Sequence, residues 1–418
     1  MKKLILTAAA CAAIVAEALT VTDVTARQRW PWNNHVDVDF IINGTAGEAY
    51  YIDISATAAG GDKKLNATSF TTEPIAATGR NRIVWDLGAD YPNFKADDLR
   101  VTVTATPFSD STPLYLVVDI SGGTAAAKWP VRYTTAAPVH TAGVADPCKT
   151  TELWLKRVKA KGETFTAGNG NGLANRYKEH TCILTNDYYL GVFALTQAQS
   201  YNMSGQYYSN FSNETCRATR PVDSIDYQSL RKPYFKSEDP GAAITDGFLK
   251  GLRDRTGGMK FDLPTEWQWE YACLGGLTAR HTVSAFRCSD NSNPPSGDPD
   301  WTTDNQGDWP AEYGTSYVDA YDPNPWGFYG MLGNVYEWCV NFQTTIDYGG
   351  TYTDPTGDAD PGNNNSHYRR RKGGAWNTGN SMCYPFIVSQ MHQWNFGKTD
   401  GTGGIWATGV RICLTIGK

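Results

Sequence analysis

Hydrophobic and polar positions alternate in several short runs along the first third of the chain. Residues 36–42 place Val, Val, Phe and Ile at every second position, and Asn43-Gly44 follows as a turn signal. This period indicates a strand with one buried face, and Asn-Gly favours a hairpin. Comparable apolar runs follow at 50–56, 82–86, 99–106 and 114–120. Strands at this spacing predict a β-sandwich over residues 19–133.

The pattern changes after residue 133. Residues 134–147 are rich in Thr, Ala, Pro and Gly without periodicity and predict a linker, so a second domain is expected over residues 148–418. Within it, Phe248, Leu249 and Leu252 share one stripe, which predicts a helix capped by Thr245.

A second helix is predicted to begin at Thr265. Thr265 and Gln268 have the spacing of a capping box, and Gly275 supplies a stop signal. The aromatic side chains of this helix are expected to lie in the core rather than to bind a cofactor.

The chain begins with the features of a secretory signal. Two lysines precede an apolar run, and Ala16-Glu17-Ala18 has the small-x-small form of a cleavage site, so residues 1–18 predict a signal peptide. The mature protein is then expected to be secreted, at the cell surface or periplasmic. No later stretch reaches the roughly 20 apolar residues that a membrane span needs.

Composition and charge narrow the possible partners. The 418-residue chain has a formal net charge of -6, and 41 glycines with only 19% charged residues favour strands and loops over helical bundles. Because nucleic acids are polyanions, an acidic exported chain is a poor nucleic-acid binder. The basic run at residues 369–372 is expected to be a solvated strand edge rather than a phosphate site.

The chain has nine cysteines, of which eight would remain after removal of the signal peptide. An even number in an exported protein predicts disulfides, and no spacing selects one pairing over another. No C-x-x-C motif occurs, so the sequence does not support a zinc knuckle.

Residues 327–338 form the stretch with the most site-like composition. They read G-F-Y-G-M-L-G-N-V-Y-E-W, with four aromatic residues, three glycines and the carboxylate of Glu337. Glycines permit positive φ, aromatic rings form rigid walls, and carboxylate and carbonyl oxygens are the ligands of Ca²⁺. Composition alone leaves two interpretations open, a packed structural turn and a turn supported by a cation.

Three further motifs accompany this turn. They read L-P-T-E-W-Q-W-E-Y-A-C-L-G-G at 263–276, R-K-G-G-A-W at 371–376 and G-V-R at 409–411. In order and spacing the four motifs resemble those of the formylglycine-generating enzyme (sulfatase-modifying factor) family. The resemblance covers the chain from about residue 149 onward and implies a C-type lectin-like domain. With a first domain that resembles immunoglobulin-like or fibronectin-like modules, the expected fold class is α+β.

Oxidases of this family bind copper through two cysteines, at the second and seventh positions after the motif tryptophan. The matching residues here are Thr378 and Cys383, so one of the two thiolates that Cu(I) needs is replaced. The resemblance therefore implies neither copper binding nor the oxidase reaction, and no catalytic residue is assigned.

The family resemblance also implies a calcium site. Its ligands here would be the backbone carbonyls of Gly333 and Val335 and the carboxylate of Glu337. Gly330 stands where the family has Asp or Asn, so one oxygen ligand is missing. Since Ca²⁺ takes roughly six to eight oxygens, any calcium binding is expected to be weak.

The C-terminal segment carries the predicted ligand surface. Aromatic residues interleave there with Asn, Gln and His, which is typical of binding loops, with a core stripe as the alternative. The predicted ligand-binding residues are Trp376, Asn377, Thr378, Asn380, Tyr384, Phe386, Gln390, His392, Trp394, Asn395, Phe396 and Trp406. The segment also resembles the variable regions of lectin-like proteins diversified by retroelements. The sequence thus predicts an exported binder of a protein or glycan, with an oxidase or another enzyme of the family as the alternative.

Overall fold

A computed structural model describes most of the chain. The described residues are 19–29, 33–109, 112–168, 179–209, 217–232, 244–276, 315–342, 350–355, 368–376, 383–392 and 408–417. Contacts divide the chain into two compact units, residues 1–112 and 113–418. Strands predominate over helices in the described part of both units, so the fold is mainly β with few helices. The predicted signal peptide, residues 1–18, lies outside the described residues.

The described residues of the first unit form two antiparallel sheets. Its elements are β1 (Thr20–Gln28), β2 (His35–Asn43), β3 (Ala49–Ala58), β4 (Lys63–Asn66), β5 (Ile75–Ala77), β6 (Gly79–Asp86), the short helix α1 (Leu87–Asp90) and β7 (Arg100–Pro107). One sheet has the order β1-β2-β6, and in the other β3 pairs with β4, β5 and β7.

Strand β2 shows how the local pattern produces this unit. Val36, Val38, Phe40 and Ile42 are all buried, as their alternation predicts. The hairpin predicted at Asn43-Gly44 is wrong, because β2 pairs with β1 and β6 while β3 lies in the other sheet. Both hydrogen-bonding edges of β2 are already occupied, so the turn carries the chain to a new sheet.

The boundary between the units lies earlier than the sequence suggests. The apolar run at 114–120 forms β8 (Tyr115–Asp119), which pairs with β9 (Val131–Thr134) and with β10 (Glu152–Val158) of the second unit. The strand therefore belongs to the second unit and not to a first domain ending at residue 133. A strand's own sequence does not show which sheet it joins, since that depends on partners distant in the chain.

The described part of the second unit contains three sheets and several short helices. Its remaining elements are α2 (Pro147–Thr150), β11 (Thr164–Ala167), β12 (His180–Ile183), β13 (Tyr188–Gly191), α3 (Gln197–Ser204), α4 (Tyr227–Leu230), α5 (Phe248–Arg255), α6 (Glu266–Leu274), β14 (Tyr336–Phe342), β15 (Thr351–Thr353), β16 (Tyr368–Lys372), β17 (Val388–His392), β18 (Thr408–Gly409) and β19 (Cys413–Thr415). The strand orders are β19-β13-β10-β8-β9, β11-β12-β15 and β17-β16-β14-β18.

The sequence predicts the start of helix α6 correctly but not the start of helix α5. Helix α6 has the predicted capping box, with Thr265 and Gln268 bonded reciprocally, and Gly275 ends it in the left-handed conformation. Helix α5 begins at Phe248 after an N-cap at Gly247, so the predicted cap at Thr245 is wrong. Thr245 instead donates its backbone N–H to Lys232, in an isolated bridge that keeps this segment extended.

Helix α6 is nearly all buried and forms part of the main core of the second unit. Trp267, Trp269 and Cys273 pack there with Tyr188 and Leu190 of β13. Among the helices that the structure describes, none has the length and apolar character needed to cross a membrane.

Candidate functional site

The Gly327–Trp338 stretch is a turn that leads directly into the buried strand β14. Gly327, Gly330 and Gly333 all adopt positive φ, and Asn334 does so as well. A Cβ atom at Gly330 would also lie 3.2 Å from the carbonyl oxygen of Val318. Glycine at these positions therefore permits backbone conformations that other L residues rarely take.

Glu337 lies at the centre of a fully buried polar cluster. Arg411 donates to both of its carboxylate oxygens, with distances of 2.9 Å from Nε to Oε2 and 2.8 Å from Nη2 to Oε1. Trp269 donates from its indole nitrogen to Oε2 at 2.6 Å. Three of the sequence motifs thus meet at one carboxylate, and the fixed two-pronged geometry of the guanidinium matches it.

Arg411 extends the cluster to neighbouring backbone. It donates from Nη1 to the carbonyl oxygens of Gly191 at 2.8 Å and Val192 at 3.0 Å, and from Nη2 to that of Tyr329 at 2.7 Å. The guanidinium therefore joins the end of β13, the turn and β14. This network makes the arrangement a structural hub of the second unit.

The cluster does not fit the predicted calcium site. Both oxygens of Glu337 already accept hydrogen bonds from Arg411 and Trp269, and the guanidinium places a positive charge where a cation would bind. Gly330 contributes no side-chain oxygen. Within the described residues no group of three His, Cys, Asp or Glu side chains could hold a metal ion. Gly333 and Val335, whose carbonyl oxygens are the other predicted ligands, lie in the turn, with the Val335 side chain in an apolar core.

The cysteines are arranged differently from the prediction of general disulfide pairing. Cys383 is disulfide-bonded, and Thr378 lies outside the described residues. Among the described residues, the buried cysteines that form no disulfide are Cys148, Cys182, Cys273, Cys339 and Cys413. Burial raises the pKa of the Cys148 thiol to about 12 and raises the pKa values of Cys273, Cys339 and Cys413 as well. These three core thiols and Cys148 are therefore protonated and poorly nucleophilic at neutral pH.

The predicted ligand-binding residues fall into three groups. Trp376 is only 8% exposed and packs against Tyr336 and Ala375, so it belongs to the core and not to a surface. Phe386 is also buried, and the partly exposed ring of Tyr384 stacks on it at a centroid distance of 5.1 Å. Gln390 and His392 lie on β17. The predicted residues outside the described part of the chain are Asn377, Thr378, Asn380, Trp394, Asn395, Phe396 and Trp406.

The basic run at 369–372 is buried, which corrects the expectation of a solvated edge. It occupies β16, an interior strand between β14 and β17. Lys372 donates to Glu270 at 2.9 Å, and the guanidinium of Arg371 lies 4.1 Å from the ring centroid of Tyr336. Burial lowers the pKa of Arg371 to about 10, which still leaves it charged at neutral pH. Aromatic faces and a carboxylate compensate these cations, and only the fold reveals such partners.

A second polar cluster, in which Asp319 and Lys149 are fully buried and His140 and Tyr329 partly buried, was not found from the sequence. His140 bonds through Nδ1 to Asp319 at 3.0 Å and through Nε2 to the hydroxyl of Tyr329 at 3.2 Å. Lys149 donates to the same carboxylate of Asp319 at 2.6 Å, and both of these side chains are fully buried. Residues of this cluster are up to 189 positions apart in the sequence, so no local sequence motif identifies it.

The chemistry of this His140 cluster is that of a structural contact between distant parts of the chain. Burial, with the nearby charges of Asp319 and Asp322, raises the pKa of Tyr329, so its phenol keeps its proton at neutral pH. The two ring nitrogens of His140 thus bond to this phenol and to the carboxylate of Asp319. Because Lys149 neutralises Asp319 and the phenol is not ionised, the cluster positions the chain around His140 and offers no activated nucleophile.

Comparison with known proteins relates the second unit to one family. Residues 158–412 match the sequence model of the sulfatase-modifying factor enzyme 1-like domain. A stretch of 141 residues is 33% identical to the formylglycine-generating enzyme of Mus musculus, covering 31% of this chain and 34% of the relative. A stretch of 182 residues is 29% identical to chaperone protein LppX of Paenibacillus barcinonensis, covering 38% and 63%. The chain thus spans less than two thirds of the length of these curated relatives.

Similarity also extends to a solved structure. Treponema denticola variable protein 1 aligns with a TM-score of 0.45 and 19% sequence identity, covering 66% of this chain and 99% of the other.

Proposed function

This chain belongs to the sulfatase-modifying factor enzyme 1-like family, and from that premise we propose that it is an exported binding protein that keeps the family scaffold without its copper chemistry. The second unit is then a C-type lectin-like domain, and the first an immunoglobulin-like module that acts as a spacer. Residues 1–18 support export, because they have the composition of a signal peptide.

The disulfide at Cys383 is the observation that carries this proposal. Copper in the family's oxidases is held by a pair of thiolates, and here the first position is Thr378. The second position, Cys383, is committed to a disulfide and has no thiolate to offer. Free thiols elsewhere in the described core, such as Cys273 and Cys339, are buried and protonated. Two soft ligands for Cu(I) are therefore not brought together at this position.

Ligand contact is assigned to the segment between β16 and β18. Its composition of Tyr, Trp, Phe, Asn and Gln provides contact area at low entropic cost. Trp376 and Phe386 are buried, so they are removed from the proposed contact surface. Tyr384, which is partly exposed and stacked on Phe386, remains as a contact residue.

Binding through this segment can be tested on arrays of glycans and peptides. We expect the wild-type protein to bind a subset of the array, and the double variant Tyr384→Ala/Trp394→Ala to lose that binding by about tenfold or more. Tyr201→Ala removes an exposed tyrosine from another part of the second unit and serves as the matched control. Equal binding by the double variant and the control would place the contact surface elsewhere.

Diversification of the segment is a separate part of the proposal. It predicts that sibling strains differ mainly in codons 377–406, at positions that are adenines in a template repeat beside a reverse-transcriptase gene. An invariant segment with no template repeat would remove the claim of diversification and leave the binding assay to decide the rest.

A further inference from the structure

A groove in the first unit has the size and the lining of a ligand site. Its volume is about 610 Å³, within the range of roughly 300–1,000 Å³ typical of small-ligand pockets. It lies where the ends of three segments meet: the end of β1, the residues that lead into β2, and helix α1 with the segment after it. No sequence motif marks it, and it lies outside the region that matches the family.

The floor of the groove is held by a close backbone approach. Gly88 of α1 donates its N–H to the carbonyl oxygen of Asn34 at 3.1 Å. A Cβ atom at Gly88 would lie 2.4 Å from that of Asn34, a distance that no side chain tolerates. The two segments that form the groove are therefore fixed against each other, which is a condition for a preformed site.

Two aromatic residues of the lining are also fixed in place. The hydroxyl of Tyr91 accepts the backbone N–H of Asn66 at 2.9 Å, so its polar end is engaged by the protein. The ammonium of Lys63 lies 4.5 Å from the centroid of Phe94. Rings held in this way present apolar area at little conformational cost to a ligand, and the C–H faces of sugar rings are a suitable counterpart.

The polar lining adds amides and an excess of positive charge. Gln28, Asn33 and Asn93 contribute amide groups. Gln28 Nε2 donates one hydrogen bond to the carbonyl oxygen of Asn33, and Asn33 Oδ1 accepts one from the N–H of His35, so the remaining donor and acceptor positions of these amides are the ones that can bond to hydroxyls. The cations Arg27 and Lys95 outnumber the one acidic side chain of the lining, Asp97, whereas the whole chain has a net charge of -6. Arg27 is 64% exposed and lies 3.7 Å from Asp37, a loose contact that leaves it able to engage a carboxylate.

From the fixed rings, the amides and the two cations, we propose that this groove binds an acidic oligosaccharide. The sugar rings pack on Tyr91 and Phe94, the amides bond to hydroxyls, and Arg27 and Lys95 pair with the carboxylates. A nucleic acid is disfavoured because the chain as a whole is acidic.

Calorimetry with the full chain tests the proposal, with trigalacturonate as the acidic probe and maltotriose as the neutral one. We expect trigalacturonate to bind at least about tenfold more tightly than maltotriose. The double variant Arg27→Ala/Lys95→Ala should lose at least about tenfold in trigalacturonate affinity. Lys64→Ala, an exposed cation on β4 that does not line the groove, should leave that affinity unchanged.

Three calorimetric results with the two probes would overturn the proposal. They are no binding of trigalacturonate, equal binding of the two probes, and an equal loss of affinity in the double variant and in Lys64→Ala. Competition with inorganic phosphate distinguishes a saccharide site from a simple anion site. Displacement of trigalacturonate by equimolar phosphate would also contradict the proposal. Because Arg27 and Lys95 are exposed, both variants are expected to fold normally.

Discussion

At the scale of single residues, the salt bridge between Glu337 and Arg411 holds three distant parts of the second unit together. Neither side chain is exposed, and their charges are compensated by each other, by Trp269 and by backbone carbonyls. A buried carboxylate left without its partner is costly, whereas the intact and fully bonded pair is tolerated. The side chain of Arg411 therefore supports the turn at 327–338.

Replacing Glu337 by Ala should therefore destabilise the protein by about 3–5 kcal/mol, because Arg411 would remain buried and charged. Urea unfolding measures this loss. Asp254→Ala, which breaks an exposed pair with Lys250 on α5, is the control and should change stability by less than about 1 kcal/mol. A chelator such as EDTA should leave the wild-type melting temperature unchanged, and a clear decrease would show that a cation supports the turn after all.

Glu266 provides a pH-dependent prediction. It is buried, its Oε1 has no hydrogen-bond partner among the residues that the structure describes, and burial raises its pKa despite the nearby charges of Arg370 and Lys372. Since the folded-state pKa is above the unfolded value of 4.5, the unfolded state ionises first, and stability is lost as pH rises above about 4.5.

Glu266→Gln removes this titration while keeping the shape of the protonated acid. The variant should match the wild type in stability below pH 4 and be more stable than the wild type at pH 7. Denaturant unfolding at several pH values tests this. A stability difference that is the same at all pH values would mean that Glu266 does not titrate as described.

At the scale of elements, the two helix starts offer a matched pair of variants. Thr265→Ala removes the capping box of α6 and should cost about 1 kcal/mol. Thr245→Ala changes an exposed threonine that precedes the true N-cap of α5 and should change stability by less than about 0.5 kcal/mol. Thermal unfolding of both variants measures the contrast, and equal losses would mean that Thr245 caps a helix.

These elements also show which signals the sequence contains. The capping box of α6 and the alternation of β2 act over a few neighbouring residues, and both were predicted from the sequence alone. The hairpin at Asn43-Gly44, the cap at Thr245 and the solvated basic run failed because each depends on a partner far along the chain. The motifs likewise predicted the family, whereas the pairing of Glu337 with Arg411, 74 positions away, needed the structure.

At the scale of the whole molecule, the division at residue 112 predicts how the second unit can be isolated. A fragment of residues 113–418 retains β8 and β9, which pair beside β10. A fragment of residues 134–418 lacks β8 and leaves an edge of β10 unpaired. The first fragment should unfold cooperatively and the second should be aggregated or unfolded. Circular dichroism melting compares them, and identical transitions would support the later boundary.

The loss of copper chemistry is the central claim, and one assay tests it most directly. The purified protein is incubated with Cu(I), oxygen and a cysteine-containing peptide of the sulfatase type, and the peptide is examined by mass spectrometry. Because Thr378 replaces one thiol and Cys383 is disulfide-bonded, no conversion of cysteine to formylglycine is expected. Oxygen-dependent formation of formylglycine by the wild-type protein would contradict the account.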